Sequence, residues 1–192
     1  VSFFGMCNDA CYLIAYGGEP MGKSVETTTA IKKAVIAAME TTDIPEITVS
    51  QICTDCGIAR STFYRYFNSV DEVVKKIGDE LLASIRRLST NDKYERTVRN
   101  ADKLTPIQSD LARARVLYEY RTYIIAVTGI HGDPTFAFKA VNTFRELLIQ
   151  NVLSHYKRAP YDDFVMEFFL AGSFRLIDYW LREHPEMTPE EF

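Results

Sequence analysis

The residues best suited to chemistry lie in a short polar and aromatic segment, 59–67. Phe63 and Phe67 stand four positions apart, so on a helix both rings share one face and can anchor it to a core. The polar residues around them are then divided between the exposed face and its rim: Arg60, Ser61, Thr62, Tyr64, Arg65 and Tyr66. A short helix that presents guanidinium and hydroxyl groups suits insertion into the major groove of duplex DNA.

The preceding segment supplies the partner helix. Thr48 and Gln51 form a capping box that opens a helix, and Gly57 stands where a positive φ is needed to end it. Ile58 then fills the angle between the two helices. The apolar inner face of the first helix consists of Val49, Ile52, Cys53 and Cys56. The spacing therefore predicts a helix-turn-helix over residues 48–67.

Composition limits the possible classes of protein. The chain has 192 residues, 47% hydrophobic and 25% charged, enough for a small head and a helical body. Its net charge is −4, and residues 21–90 hold nine basic and nine acidic side chains. This balance argues against indiscriminate coating of nucleic acid, but permits basic groups on one face. No apolar run approaches the ~20 residues of a membrane span, so we expect no membrane partner. The sequence shows no signal peptide of the usual shape, so we expect its four cysteines to lie in a reducing cytoplasm.

The first twenty residues differ from the rest of the chain. Residues 1–20 contain no Lys or Arg, and Gly17-Gly18-Glu19 stands shortly before Met21. We interpret 1–20 as an upstream or disordered arm and expect the natural protein to begin at Met21. The alternative is a genuine amphipathic arm that packs on the body.

Helical periodicity extends through almost all of the remaining chain. The predicted helices cover about 28–39, 48–57, 59–66, 69–88, 106–128, 135–156 and 161–183. Residues 89–105 are polar and predict a hinge or a weakly held short helix. We therefore expect an all-α protein: a three-helix DNA-binding head (21–70), joined by a long helix to a helical effector-binding and dimerisation body (71–192).

At this point the sequence resembles the TetR family of transcriptional regulators. The resemblance covers about residues 27–88, and its matching residues are Ile31, Ala34, Thr48, Ile52, Gly57, Thr62, Tyr64 and Phe67. It continues weakly to the segment Phe169-Leu-Ala-Gly-Ser-Phe with Trp180-Leu, which is similar to the last dimerising helix of many members. Two departures stand out: Val70 replaces a common phosphate-binding Lys, and Cys53 and Cys56 replace small Ala residues.

The resemblance implies a homodimer that binds double-stranded operator DNA, and a repressor released by a small organic effector. It implies that Arg60, Ser61 and Thr62 face base edges or neighbouring phosphates. It also implies that Thr48, Tyr64 and Tyr66 hold the DNA backbone.

The helix at 161–183 is apolar almost all round, so it must bury two sides. We expect it to form an intersubunit four-helix bundle with the helix at 135–156. The predicted interface residues are Phe144, Leu148, Phe168, Gly172, Leu176 and Trp180. The alternative is a core that lies entirely within one chain.

A regulator that answers an effector also needs a pocket. The candidate lining residues are Tyr118, Arg121, Ile125, Phe138 and Arg175. Arg121 or Arg175 would meet an acidic group on the ligand. In the alternative interpretation, these arginines pair with Glu119 or Asp178, or lie at the surface.

Other chemistry is poorly represented. Cys53-x-x-Cys56 places two thiols on the apolar face of a helix, which favours packing over a thiol or metal sensor. The histidines at 131, 155 and 184 have no ligand spacing, and the sequence carries no phosphate loop or nucleophile elbow. We therefore expect no enzyme, cofactor or metal. The remaining alternative is a helical small-molecule-binding or interaction protein without DNA binding, suggested by Val70 and the neutral head.

Overall fold

A computed structural model describes residues 23–90, 108–129, 132–151 and 159–192. Throughout these ranges the chain is helical, with no strand, which confirms the predicted all-α class. The α-helices are α1 (Lys23–Ala38), α2 (Val49–Cys56), α3 (Arg60–Tyr66), α4 (Val70–Thr90), α5 (Gln108–Glu119), α6 (Arg121–Val127), α7 (Pro134–Asn151) and α8 (Asp162–Glu183). A 3-10 turn, Ile44–Glu46, follows α1. Among the described helices, none has the length and apolarity to cross a membrane.

The chain divides into two compact units, with the boundary after Val74. The head unit contains α1, α2, α3 and the start of α4, and α2 packs against both α1 and α3. Its core is built from the apolar stripes that the periodicity predicts, including the fully buried Ile31, Val35, Ile52 and Phe63. A single continuous helix, α4, belongs to both units.

The body unit is organised around the short helix α6, which packs against α5, α7 and α8. Tyr123 of α6 is 1% exposed and meets Phe136 of α7 edge to face, with ring centroids 5.3 Å apart. Helices α7 and α8 are joined by the Phe144–Phe174 ring contact and by an ion pair between Arg145 and Glu167. These contacts fix which face of α8 remains outside the protomer.

One of the predicted helices is interrupted in the structure, so the prediction of a single helix is wrong. The described part of the predicted helix at 106–128, from Gln108, forms two helices, because Tyr120 leaves the helical region (φ −91°, ψ 14°) between α5 and α6. No proline or glycine marks this break, so the sequence carries none of the usual signs of a kink. Tertiary contacts explain it better: Tyr118 stacks on Trp180, whereas Tyr123 packs on Phe136.

Other boundaries shift less. Helix α1 begins at Lys23, five residues before the predicted start at 28, and α4 extends to Thr90. The predicted arm at 1–20, most of the predicted hinge at 89–105, and residues 152–156 of the predicted helix at 135–156 lie outside the described residues.

A glycine in α4 permits close packing in the body. A Cβ added at Gly78 would overlap the Tyr123 hydroxyl and come within 2.9 Å of the Phe136 ring. Both rings are buried, so neither can move aside without disturbing the core.

We predict that Gly78→Ala destabilises the protein, because overpacking a rigid core outweighs the gain in helix propensity. The expected loss is about 1–3 kcal/mol in the free energy of unfolding, measured by urea denaturation. Lys75→Ala, on an exposed position of the same helix, is the matched control and should change stability by less than about 0.5 kcal/mol. Equal stability of Gly78→Ala and the natural protein would contradict this packing.

Candidate nucleic-acid interface

The two short helices of the head form the predicted helix-turn-helix. Thr48 caps α2, and its hydroxyl accepts a hydrogen bond from the Gln51 amide at 3.2 Å. Gly57 adopts the left-handed conformation (φ 64°, ψ 33°) that ends α2. The Ile58 amide then donates to the Cys53 carbonyl at 2.9 Å, which closes the turn. The capping residue and the turn glycine therefore both stand where the sequence predicts them.

The rings of α3 are hidden, as the i, i+4 spacing predicts. Phe63 is fully buried and Phe67 is 6% exposed, with ring centroids 6.1 Å apart. Tyr64 lies outside them, 55% exposed, and contacts Phe63 edge to face. Burial of two phenyl rings fixes the rotation of a seven-residue helix that is too short to be stable alone.

The opposite side of α3 is polar. Arg60, Ser61, Tyr64 and Arg65 are exposed, and Thr62 and Tyr66 are half-buried at its rim. Thr48, at the start of α2, is exposed as well. Each of the seven predicted DNA-contacting residues therefore lies outside the core, and their contacts with DNA stay a prediction.

The position of Val70 explains one departure from the family pattern. Val70 is 6% exposed and belongs to the head core. A lysine there would have to leave this core to reach a phosphate. The side chain at this position therefore packs in the head core, which fits the departure from the phosphate-binding Lys that the resemblance would imply.

The two cysteines of α2 are packed. Cys53 is 5% exposed and Cys56 is half-buried. Burial, together with the neighbouring Asp55 carboxylate and Cys53, raises the pKa of the Cys56 thiol above its ordinary value. A higher pKa leaves less reactive thiolate at neutral pH. Within the described ranges, no group of three or more His, Cys, Asp or Glu side chains could hold a metal ion.

The five residues that we predict to line an effector pocket make their contacts in different parts of the body unit. The Tyr118 hydroxyl donates to the Pro185 carbonyl at 2.9 Å, and Arg121 Nε donates to the Leu181 carbonyl at 2.6 Å. Ile125 is half-buried on α6. The Arg175 side chain is 70% exposed and pairs with Asp178 at 3.0 Å, as the alternative interpretation of this arginine has it.

Phe138 is 70% exposed and lines an open groove of about 320 Å³ between α4 and α7, which none of the other four residues borders. Its neighbour Phe136 is the ring that enters the core. The helical register of α7 therefore turns Phe138 away from the interior.

Helix α8 presents a long apolar face to solvent. Its members are 44–78% exposed: Tyr161, Phe164, Val165, Phe168, Phe169, Leu176 and Tyr179. Gly172 is exposed on the same helix, and Phe144 and Leu148 of α7 are half-buried. Side chains this apolar, exposed in such number, mark a surface that associates with another apolar surface.

Trp180 does not belong to this face, and its assignment to the interface is corrected. It is 1% exposed, stacked against both Tyr118 and Phe192, and its Nε1 donates to the Met187 carbonyl at 3.0 Å. This folding back of residues 184–192 onto α8 was not predicted, because ring stacking between distant residues leaves no local periodicity.

Two family models match the chain. The TetR C-terminal model, described as "Transcriptional regulator C-terminal region", matches residues 112–192, and the "Helix-turn-helix domain of resolvase" model matches residues 44–70. Together, the two matches support a TetR-type transcriptional regulator. The TetR-type chain thus combines a helix-turn-helix with a regulator body, and is a DNA-binding transcriptional regulator. No curated protein sequence matches it.

Solved structures share this TetR-type fold. The dihydroxyacetone kinase operon activator DhaS is 20% identical, with a TM-score of 0.59 over 86% of this chain and 88% of its own. A TetR regulator from Streptococcus agalactiae 2603V is 22% identical, with a TM-score of 0.56 over 87% and 89%. The fatty acid degradation regulator FadR from Bacillus halodurans is 14% identical, with a TM-score of 0.51 over 86% and 88%.

We predict that the α2 thiols react slowly in the folded protein. At pH 7 Cys56 should alkylate with iodoacetamide about tenfold more slowly than free cysteine, because burial raises the pKa of its thiol. Cys53 should also react slowly, because it is buried away from the reagent. Mass spectrometry of the peptide containing both cysteines, before and after denaturation in urea, measures the difference. Alkylation of the folded protein at the rate of free cysteine would instead favour the thiol-sensor alternative.

Proposed function

We propose that this TetR-family member is a homodimeric repressor that binds a roughly palindromic operator and releases it when a small organic effector binds. The observation that carries the proposal is the two-sided character of α3: its phenyl rings are buried, and its guanidinium and hydroxyl groups face outward. This arrangement is what insertion into a major groove requires.

In the proposed complex, Arg60, Ser61 and Thr62 face base edges or adjacent phosphates. Arg60 makes no ion pair within the described residues, so its charge is available to an acceptor such as guanine or phosphate. Thr48, Tyr64, Arg65 and Tyr66 lie around this centre and hold the phosphate backbone. The head corresponds to residues 21–70 of the proposed domain division.

The proposed dimer interface is the exposed apolar face of α8, with Phe144 and Leu148 of α7. A second copy of the same face is the natural complement, because two-fold symmetry pairs equal surfaces. The exposed Gly172 has nothing within 4 Å of a built Cβ, so it leaves room for close helix approach. Such a dimer would present two α3 helices to half-sites about 34–36 Å apart.

The proposed effector acts through the body, residues 71–192. Tyr118, Arg121 and Ile125 remain the candidate contacts, because they lie on α5 and α6, and α6 packs on α8. A ligand that takes the Arg121 guanidinium from the Leu181 carbonyl would disturb the end of the helix that carries the dimer face. It would release DNA only through different affinities for the two body shapes.

Whether this protein represses or activates transcription is a separate question. DhaS, whose fold is similar, is an operon activator. Deleting the gene and sequencing transcripts decides between the two: repression predicts that genes beside the bound sites rise in the deletion strain, and a fall would make this protein an activator.

We predict specific, salt-sensitive DNA binding. Genomic fragments selected by the protein should share a palindromic site, and raising salt from 50 to 200 mM should weaken binding by about 10³-fold or more, assuming six to ten phosphate contacts. Fluorescence anisotropy with a labelled site measures both. Selection of no common site would favour the alternative of a helical binding protein without DNA recognition.

Two substitutions separate base reading from backbone contact. Arg60→Ala should relax preference at one base pair of each half-site, whereas Tyr64→Phe should weaken binding to all sequences alike. Arg115→Ala removes a guanidinium from α5 and should change neither property. The opposite pattern for Arg60 and Tyr64 would overturn their assigned roles.

We predict that an acidic group on the α8 face prevents dimerisation. Phe168→Glu and Leu176→Glu should each sediment as monomers at micromolar concentration, because an unpaired carboxylate would be buried at the interface. Glu183→Gln, on the same helix, is the control and should leave the dimer intact. A natural protein that sediments only as a monomer would defeat the proposed assembly.

A further inference from the structure

The head contains one polar contact that joins its two DNA-facing helices. Arg60 Nη2 donates a hydrogen bond to Ser50 Oγ at 2.9 Å, across the turn at Gly57. Both side chains are exposed, so this bond contributes little to the stability of the head. Its main effect is to orient the Arg60 guanidinium.

Ser50, which accepts this hydrogen bond, has a well-defined position on its helix. Ser50 is the second residue of α2, in the first turn after Thr48, whose hydroxyl caps the helix by accepting from the Gln51 amide. Ser50 therefore lies on a regular, capped helix. A group on such an element holds its partner more accurately than a group on a loop.

Arg60, which donates this hydrogen bond, can still recognise a base. A guanidinium has five N–H donors in one plane, and Ser50 engages one of them. Two parallel N–H groups remain to donate to O6 and N7 of guanine, the commonest specific contact in the major groove. An unrestrained arginine would lose more rotamer freedom on binding than one already held.

From this geometry we infer that Ser50 is a specificity-determining residue that acts by positioning Arg60 for bidentate recognition of a guanine in each operator half-site. The inference rests on the proposed function and adds to it a residue outside the predicted set. Sequence patterns do not reveal this contact, because Ser50 and Arg60 are ten positions apart on different helices.

The test compares base preferences of variants. Operator sites are selected from random duplexes by the natural protein, Ser50→Ala, Arg60→Ala and the double variant, and affinities for single-base operator changes follow by anisotropy. Arg60 should discriminate guanine by roughly five- to 150-fold. Ser50→Ala should lose about three- to tenfold of this preference at the same base pair. The double variant should match Arg60→Ala alone.

Two controls separate positioning from a general structural effect. Ser50→Thr keeps the hydroxyl and should retain the preference. Thr54→Ala removes a nearby hydroxyl that does not touch Arg60, and should also retain it. Thermal unfolding of each variant, followed by circular dichroism, should show that the head remains folded.

Each other outcome overturns the inference. A Ser50→Ala variant with full preference shows that Arg60 needs no support, and a change at a different base pair shows that Ser50 reads a base itself. Additive losses in the double variant would likewise contradict action through Arg60. If the natural protein selects no sequence at all, the proposed function fails as well, and this result is distinct from the other three.

Discussion

Burial of Phe63 and Phe67 is the constraint on which the proposed DNA-binding surface depends. The helix α3 has seven residues, too few for independent stability, so tertiary packing decides whether it forms and which side it exposes. Because both rings lie in the head core, the side chains of Arg60 and Ser61 lie on the outer face. The left-handed Gly57 and the hydrogen bond from the Ile58 amide to the Cys53 carbonyl then form the turn that leads from α2 to α3.

The body applies the same physics with a different result. In α3 the phenyl rings are buried within the protomer, whereas among the described residues α8 keeps a row of large apolar side chains exposed. Trp180 and Leu181 are buried in the core of the body, whereas Phe164 and Phe168 are exposed. An amphipathic helix needs one buried face, and a helix with two apolar faces needs a second partner. This exposed row is the physical basis of the proposed homodimer.

The continuous helix α4 contributes to both units. It begins in the head core with Val70 and Val73, and continues into the body, where Gly78 lies against Tyr123 and Phe136. Close packing of this kind transmits a displacement instead of absorbing it.

Local sequence signals were sufficient for the helices of the head, for the cap at Thr48, for the turn at Gly57 and for the burial of Phe63 and Phe67, because each depends on residues within a few positions of one another. The break at Tyr120, the burial of Trp180 beneath Phe192 and the exposure of Phe138 required tertiary structure, because each depends on residues far apart in the chain. The Ser50–Arg60 hydrogen bond belongs to the second group. Helical periodicity tells which residues share a face, but only the packed fold decides whether that face meets the chain's own core or remains at the surface.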